Sequence, residues 1–182
     1  MNREGTGRYL AFELGSEVYA VEVERVEVVL ETTPITRVPK APSHLRGVIN
    51  YRGAVIPVAD LCIRFGVGPT KTGEGSSVIV LQINYSGEKL TIGILADSVR
   101  EVIDIDRSRI EKAPSLGNRS SDGLIAGVYE KGGLFIVILE IDEAFLSDIP
   151  LSAEALQTET LRSRSDNQGS DRFGRISRAK QR

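Results

Sequence analysis

Residues 45–61, LRGVINYRGAVIPVADL, carry the pattern that decides the fold. Apolar residues on both sides of a polar turn at 50–53 predict two strands joined by a hairpin. Gly53 supplies the positive φ that such a turn needs, and Pro57 places the second strand at a sheet edge or a bulge because it cannot donate to a ladder. The conspicuous functional group is Arg52, a long cation at the hairpin tip with no nucleophile and base beside it. This arrangement is typical of a binding site and not of a catalytic one.

The same pattern recurs in residues 124–141, LIAGVYEKGGLFIVILEI. Gly47 corresponds to Gly127 at a spacing of 80 residues (127 minus 47). Upstream, residues 21–31 align with residues 94–104 at a spacing of 73 (94 minus 21). A long period seen twice indicates two copies of one supersecondary unit and not a solenoid.

The chain predicts an all-β fold. About ten short apolar segments, separated by turns at roughly 8–12 residues, are typical of a barrel or sandwich. With the duplication, we expect two small five-stranded barrels that pack face to face around a shared hydrophobic core, for which Val58, Val80 and Ile136 are candidates. Short helices are expected near 107–112 and 143–147.

The predicted boundaries follow from composition. A slip in the alternation at Arg25 predicts a bulge or bend between two strand segments. Gly, Ser, Thr and Pro dominate the stretch between the two copies, whereas the chain end is rich in Ser, Arg, Asp, Gln and Gly. We therefore predict barrels at roughly 15–65 and 77–141, a linker at 66–76, and a tail at 148–182 with a possible helix at 152–161 followed by disorder.

Composition is that of an ordinary globular domain, with 41% hydrophobic and 26% charged residues in a chain of 182. The net charge of −2 is uneven. Residues 151–182 hold seven Lys/Arg and four Asp/Glu, a net charge of +3, whereas residues 1–150 hold the other 16 basic and 21 acidic residues, a net charge of −5. An acidic core is a poor surface for DNA or RNA, so no nucleic-acid partner is expected.

Cysteine usage and hydropathy argue against a disulfide-bonded, membrane-spanning or secreted protein. A single cysteine, Cys62, excludes an internal disulfide and a multi-cysteine metal site, and its place after an apolar strand predicts a buried, inert thiol. No apolar run approaches the roughly 18 residues of a membrane span, and the start of the chain lacks the apolar segment of a signal peptide. We expect a cytoplasmic protein without direct membrane insertion.

Catalytic, cofactor and metal sites are not expected. His44 is the only histidine, and no recurring spacing gives it a nucleophile or a second ligand. Glycines fall at turns and in linkers, not in a phosphate-binding loop. Asp60, Asp97 and Glu140 end or follow strands, where turn capping and edge protection are the more frequent roles of a carboxylate.

The remaining candidate for function is an apolar surface. Four valines lie near matching bends of the two copies: Val26, Val28, Val99 and Val102. They either line a groove between the barrels or belong to the core, and periodicity favours the core.

At this point the chain resembles a known family. Residues 47–61 fit the G-V-x-N-x-R-G-x-x-x-P-V-x-D-L signature of CheW-like domains, and the stretch 93–97 followed by two valines fits as well. The resemblance covers roughly residues 7–147. It implies two SH3-like barrels around a shared core, in agreement with the duplication.

The resemblance also implies a function. Members of this family are non-enzymatic adaptors of bacterial chemotaxis signal transduction, which couple a CheA-type histidine kinase to methyl-accepting chemoreceptors. One barrel face is expected to pair with the regulatory domain of the kinase, and a groove at the barrel junction to take the cytoplasmic receptor tip. The protein would then be cytoplasmic and recruited to membrane-associated receptor arrays. Family positions implicated in partner binding correspond to Val26, Gly47, Arg52, Gly93, Val99 and Val102.

The chain departs from the family pattern at Val28, where a glutamate is common. That glutamate is expected to act with the arginine matched by Arg52. Glu27 would point to the opposite face of an extended segment, whereas Glu31 or Glu101 are possible substitutes.

This departure keeps an alternative open: a regulator of a secondary chemosensory pathway, such as one for pili or gliding, that competes for or modulates kinase–receptor coupling. A more distant alternative is an SH3-like barrel that binds nucleic acid through the basic tail.

Overall fold

The structure is a computed structural model that describes residues 5–31, 33–85, 87–112 and 123–141. The helices predicted at 143–147 and 152–161 lie outside these residues. The described residues contain ten strands: β1 Thr6–Leu14, β2 Glu17–Glu22, β3 Val26–Glu31, β4 Leu45–Tyr51, β5 Ala54–Ala59, β6 Ser77–Tyr85, β7 Glu88–Ala96, β8 Ser98–Asp106, β9 Ile125–Lys131 and β10 Leu134–Leu139.

The helical elements are short. A 3-10 turn at Val23–Arg25 lies where the alternation slips, and a β-bulge follows it in β3. A second 3-10 turn, Arg107–Arg109, begins after Asp106, whose carboxylate accepts a hydrogen bond from the backbone N of Ser108 at 2.9 Å. The helix expected near 107–112 is therefore one turn long. A four-residue helix, α1 (Leu61–Arg64), was not predicted.

The strands form two five-stranded sheets. Sheet A has the order β8-β1-β2-β10-β9, and sheet B has the order β3-β6-β7-β5-β4. Neighbouring strands are antiparallel, except that β2 pairs with β10 and β5 pairs with β7 in parallel. Exchanging β1–β5 with β6–β10 converts one order into the other, so the internal duplication is visible in the sheet topology.

The predicted barrel boundaries, 15–65 and 77–141, do not correspond to the two sheets. Sheet A combines β1 and β2 of the first copy with β8, β9 and β10 of the second. Sheet B combines β3, β4 and β5 of the first copy with β6 and β7 of the second. The first hairpin of each copy is therefore exchanged. The reason is that the chain crosses between the sheets inside each copy, at the 3-10 turn Val23–Arg25 and at the step from Ala96 to Ser98.

Each sheet encloses an apolar cluster of its own. The cluster of sheet A draws residues from both edge strands, Ile103 and Ile105 of β8 and Tyr129 of β9. In sheet B, edge-strand residues Val28 of β3 and Ile49 of β4 belong to, or pack against, a single cluster. Each cluster therefore extends across its sheet from one edge strand to the other, which is compatible with the rolled sheets of the expected SH3-like barrels.

The opposite face of each sheet forms the shared core. Val78 and Val80 lie in the interior cluster of sheet B, so the alternating residues Ile79 and Leu81 point to the other face, yet both are fully buried. Val58, Val80 and Ile136, expected in the shared core, are buried but belong to the interior clusters. Alternation alone does not tell which of two buried faces is the shared one.

Candidate functional site

The predicted site valines lie on the two strands that follow the crossings between the sheets. Val26 is the first residue of β3, directly after the 3-10 turn, and Val99 is the second residue of β8. Both are half-buried. Because β3 and β8 are edge strands of sheet B and sheet A, the two valines lie at equivalent places on the rims of the two barrels.

Strand pairing shows which way the valines on β8 point. Val99 and Val102 are the Cα partners of Phe12 and Leu10 on β1, and directly opposed residues share a face. The interior cluster of sheet A contains the alternating residue Ala11, so Val99 and Val102 lie on the face of the shared core. Val102 is 45% exposed.

The same geometry recurs on β3. Val26 and Val29 are the Cα partners of Leu81 and Ile79, which lie on the shared-core face of sheet B. A bulge separates the two valines, as a register shift does on β8. We call Val26, Val29, Val99 and Val102 the valine rim.

The sequence interpretation missed Val29 and named Val28 instead. Val28 packs against the interior cluster of sheet B. A bulge shifts the alternation between Val26 and Val28. Val28 therefore faces the interior of sheet B, whereas Val26 and Val29 face the shared core. The 73-residue spacing of the repeat, which relates Val29 to Val102 (102 minus 29), was the signal that identifies it.

The two predicted glycines lie inside the barrels. A Cβ on Gly93 would lie 2.7 Å from Cγ1 of Val78, and a Cβ on Gly47 would overlap the backbone oxygen of Thr36. Gly127, the repeat of Gly47, meets the backbone of Glu111 in the same way. Each of these glycines lets neighbouring backbone or side-chain groups approach closely, so the structure gives Gly47 and Gly93 a packing role.

Gly47→Ala is expected to lower the free energy of unfolding by about 1–3 kcal/mol, the range for overpacked interiors. The added methyl overlaps Thr36, and the φ of +148° disfavours a side chain. Urea denaturation measures the loss. Gly53→Ala is the matched control, since Gly53 has a φ of +83° with nothing within 4 Å of its Cβ position. Equal losses in the two variants would exclude the contact with Thr36 as the cause.

Arg52 lies at the exposed tip of the β4–β5 hairpin with a φ of +50°. The turn is closed by the side chain of Asn50, which accepts a hydrogen bond from the backbone N of Gly53 at 3.2 Å. The guanidinium carbon of Arg52 lies 5.1 Å above the ring of Tyr51, which itself packs against the interior cluster of sheet B. Stacking on the ring orients the cation and leaves its N–H groups for an anion.

The carboxylates considered as substitutes at the Val28 position have other contacts. Glu27 accepts a hydrogen bond from Nε2 of Gln82 at 2.7 Å. Glu101 lies 4.0 Å from Nζ of Lys131 and is exposed. Glu31 is an exposed residue at the end of β3. In the part of the chain that the structure describes, none of the three forms an ion pair with Arg52.

Asp60, one of the carboxylates assigned to turn capping, is the centre of a buried network. Its side chain is fully buried and caps α1 by accepting from the backbone N of Cys62 at 3.0 Å and of Ile63 at 3.3 Å. It also accepts from the backbone N and the hydroxyl of Thr70 and from Nη1 of Arg46 at 2.8 Å. These bonds fasten the helix, the linker and β4 to the end of β5.

Groups that would carry other functions are not assembled in the described ranges. No group of three or more His, Cys, Asp or Glu residues there could hold a metal ion. No helix among the described residues is long and apolar enough to cross a membrane. Burial raises the pKa of the Cys62 thiol, which keeps it protonated and unreactive.

The comparisons with known proteins agree with this architecture. The family model of the CheW-like domain matches residues 8–148. The chain is 28% identical over 144 residues to the chemotaxis protein CheW of Rhizobium meliloti, covering 79% of this chain and 90% of that protein. It is 30% identical over 137 residues to the chemotaxis protein CheW of Thermotoga maritima, covering 74% and 84%. The crystal structure of the scaffolding protein TtCheW from Thermoanaerobacter tengcongensis is similar with a TM-score of 0.68 and 30% identity, covering 78% of this chain and 88% of that one. The chain therefore belongs to the CheW-like domain family.

Proposed function

We propose that this protein is a non-enzymatic adaptor of chemotaxis signalling that couples a CheA-type histidine kinase to methyl-accepting chemoreceptors. The observation that carries the proposal is the valine rim, a set of partly exposed valines at equivalent places on the edge strands β3 and β8. Related proteins with this fold are named chemotaxis proteins and scaffolding proteins.

The receptor is proposed to dock on the valine rim. Its cytoplasmic tip is helical, and an amphipathic helix presents an apolar stripe that fits an apolar groove. Val102 at 45% exposure offers the most surface for this contact. Arg52, oriented by Tyr51, would hold a receptor carboxylate at the border of the contact. Gly47 and Gly93 support this site from within sheet B.

The kinase is proposed to pair with one barrel through its regulatory domain. A ternary contact of this kind would recruit the adaptor from the cytoplasm to membrane-associated receptor arrays. We further propose that the domain spans roughly residues 7–147.

The test combines this protein, its cognate kinase and a soluble receptor signalling fragment, assayed by kinase autophosphorylation and co-sedimentation. Activation together with co-sedimentation supports the adaptor function. Failure to bind either component would refute it.

Arg52→Ala is expected to weaken co-sedimentation with the receptor fragment about fivefold, the equivalent of about 1 kcal/mol for an exposed ion pair. Stability should not change, because the guanidinium contacts only the ring of Tyr51 among the described residues. The matched control is Arg8→Ala, which removes an exposed arginine from β1 of sheet A. The same loss in both variants would mean that general charge, and not Arg52, attracts the receptor.

Val28 favours a second candidate function, a regulator that occupies adaptor sites in a secondary chemosensory pathway. Residue 28 is a valine that packs against the interior cluster of sheet B, so this position has no carboxylate to pair with Arg52. Such a regulator would bind kinase or receptor and reduce, not support, kinase activation. Full receptor-dependent activation in the three-component assay would eliminate this candidate.

A further inference from the structure

Two side-chain pairs hold the bulges that separate the valines of the rim. In sheet A, Oε1 of Glu13 accepts from Nε of Arg100 at 2.7 Å and also from its Nη2, while Oε2 accepts from the hydroxyl of Ser98 at 2.7 Å. Ser98 and Arg100 are the two residues that flank Val99. The docking valine of β8 is thus held on both sides by one carboxylate of the neighbouring strand.

Sheet B has the matching pair. Glu27, which follows Val26, accepts from Nε2 of Gln82 at 2.7 Å. Gln82 follows Leu81, the Cα partner of Val26, just as Glu13 follows Phe12, the Cα partner of Val99. The two pairs therefore occupy the same place in the repeat, with an ion pair in one sheet and an amide–carboxylate hydrogen bond in the other.

We propose that these pairs are clasps that position the valine rim, with Glu13 and Arg100 as positioning residues for Val99 and Val102, and with Gln82 and Glu27 as their counterparts for Val26 and Val29. The inference rests on the proposed docking function. The physical reason is that a bulge leaves an extra residue unpaired in the ladder and re-aims its neighbours. Tying that residue to the next strand fixes the direction in which the flanking valines point.

The rest of the crossing into β8 is already fixed. The backbone N of Asp97 donates to the oxygen of Glu13 at 3.0 Å, and its carboxylate accepts from the backbone N of Gly15 at 2.7 Å and of Lys71 at 3.2 Å. Hydrogen bonds from Ser98 and then from Arg100 lower the pKa of Glu13, so its carboxylate is ionised at neutral pH. The stabilising contribution of this carboxylate is present above the ordinary glutamate pKa and is lost as pH falls through the lowered pKa of Glu13.

The test uses the difference between the two clasps. Arg100→Glu places two carboxylates together and is expected to open the sheet A clasp. The double variant E13Q/R100E rebuilds, in sheet A, the Gln–Glu pair that sheet B already has, and is expected to close it. Lys89→Glu, at an exposed position of β7, is the control for an equal change of charge.

Two measurements are made on the full chain. Co-sedimentation with a soluble chemoreceptor signalling fragment should fall about tenfold for Arg100→Glu and return to within about twofold of the original protein for the double variant. Amide hydrogen exchange at residues 98–102 should accelerate about tenfold in the single variant and recover in the double one, with the protein folded throughout.

The outcomes separate the clasp from the docking function. Unchanged exchange in Arg100→Glu overturns the proposal whether or not a receptor binds. A double variant that recovers exchange but not binding would show that Arg100 contacts the partner itself, which also overturns it. If the original protein does not bind the receptor fragment, the docking function fails, and the exchange measurement still decides whether the clasp exists.

Discussion

Asp60→Ala is expected to lower the free energy of unfolding by about 3–5 kcal/mol, the cost of breaking a buried, hydrogen-bonded charge pair. Five donors lose their acceptor at once: the backbone N of Cys62 and of Ile63, the backbone N and hydroxyl of Thr70, and Nη1 of Arg46. Most of these groups are too deeply buried to turn to water, so each retains its desolvation cost. Urea denaturation, followed by circular dichroism, measures the change.

Asp106→Ala provides the matched control. Asp106 also caps a one-turn helix and accepts from the backbone N and hydroxyl of Ser108, but it is exposed, so water replaces the lost contacts. A much smaller loss is expected. If the two variants were equally destabilised, the helix cap would explain both effects, and the buried bonds of Asp60 to Arg46 and Thr70 would contribute nothing.

Asp60 shows which contacts can be predicted from the sequence and which cannot. An aspartate that directly follows an apolar strand predicts a capping role, because an N-cap bond connects neighbours in the chain. The convergence of Arg46 and Thr70 on the same carboxylate depends on how β4 and the linker pack, and their spacing of 14 and 10 residues from Asp60 has no periodic meaning. Local bonds were predictable, and the bonds that make the site costly to disrupt were not.

The barrels show the same division. Hairpins and the repeat follow from alternation and from glycines at turns, which are local features. The exchange of the first hairpin between the sheets cannot be predicted in this way. It depends on pairing between strands far apart in the chain, such as Val58 with Gly93, and the alternation within each strand carries no information on that pairing. For the candidate site, the resemblance supplied Val26, Val99 and Val102, whereas Val29 was missed because a one-residue bulge changes the face of every residue after it.

Val99→Asp is expected to weaken binding of the receptor signalling fragment by at least about 30-fold, which corresponds to about 2 kcal/mol and is typical of a central contact residue. The substitution removes apolar surface from the valine rim and places a carboxylate where a docked helix would exclude water. Val26→Asp should have a similar effect, because Val26 holds the equivalent place on β3.

The control for Val99→Asp is Val67→Asp. Val67 is 66% exposed in the loop after α1 and belongs to neither β3 nor β8, so an added carboxylate there remains in water. Because Val99 is half-buried beside Phe12, each variant is first checked by urea denaturation and then assayed at a temperature at which it is folded. Normal binding by a folded Val99→Asp protein would rule out the valine rim as the receptor site. Loss of receptor binding with retained kinase binding would instead place the two partners on different surfaces, since a damaged fold would lose both.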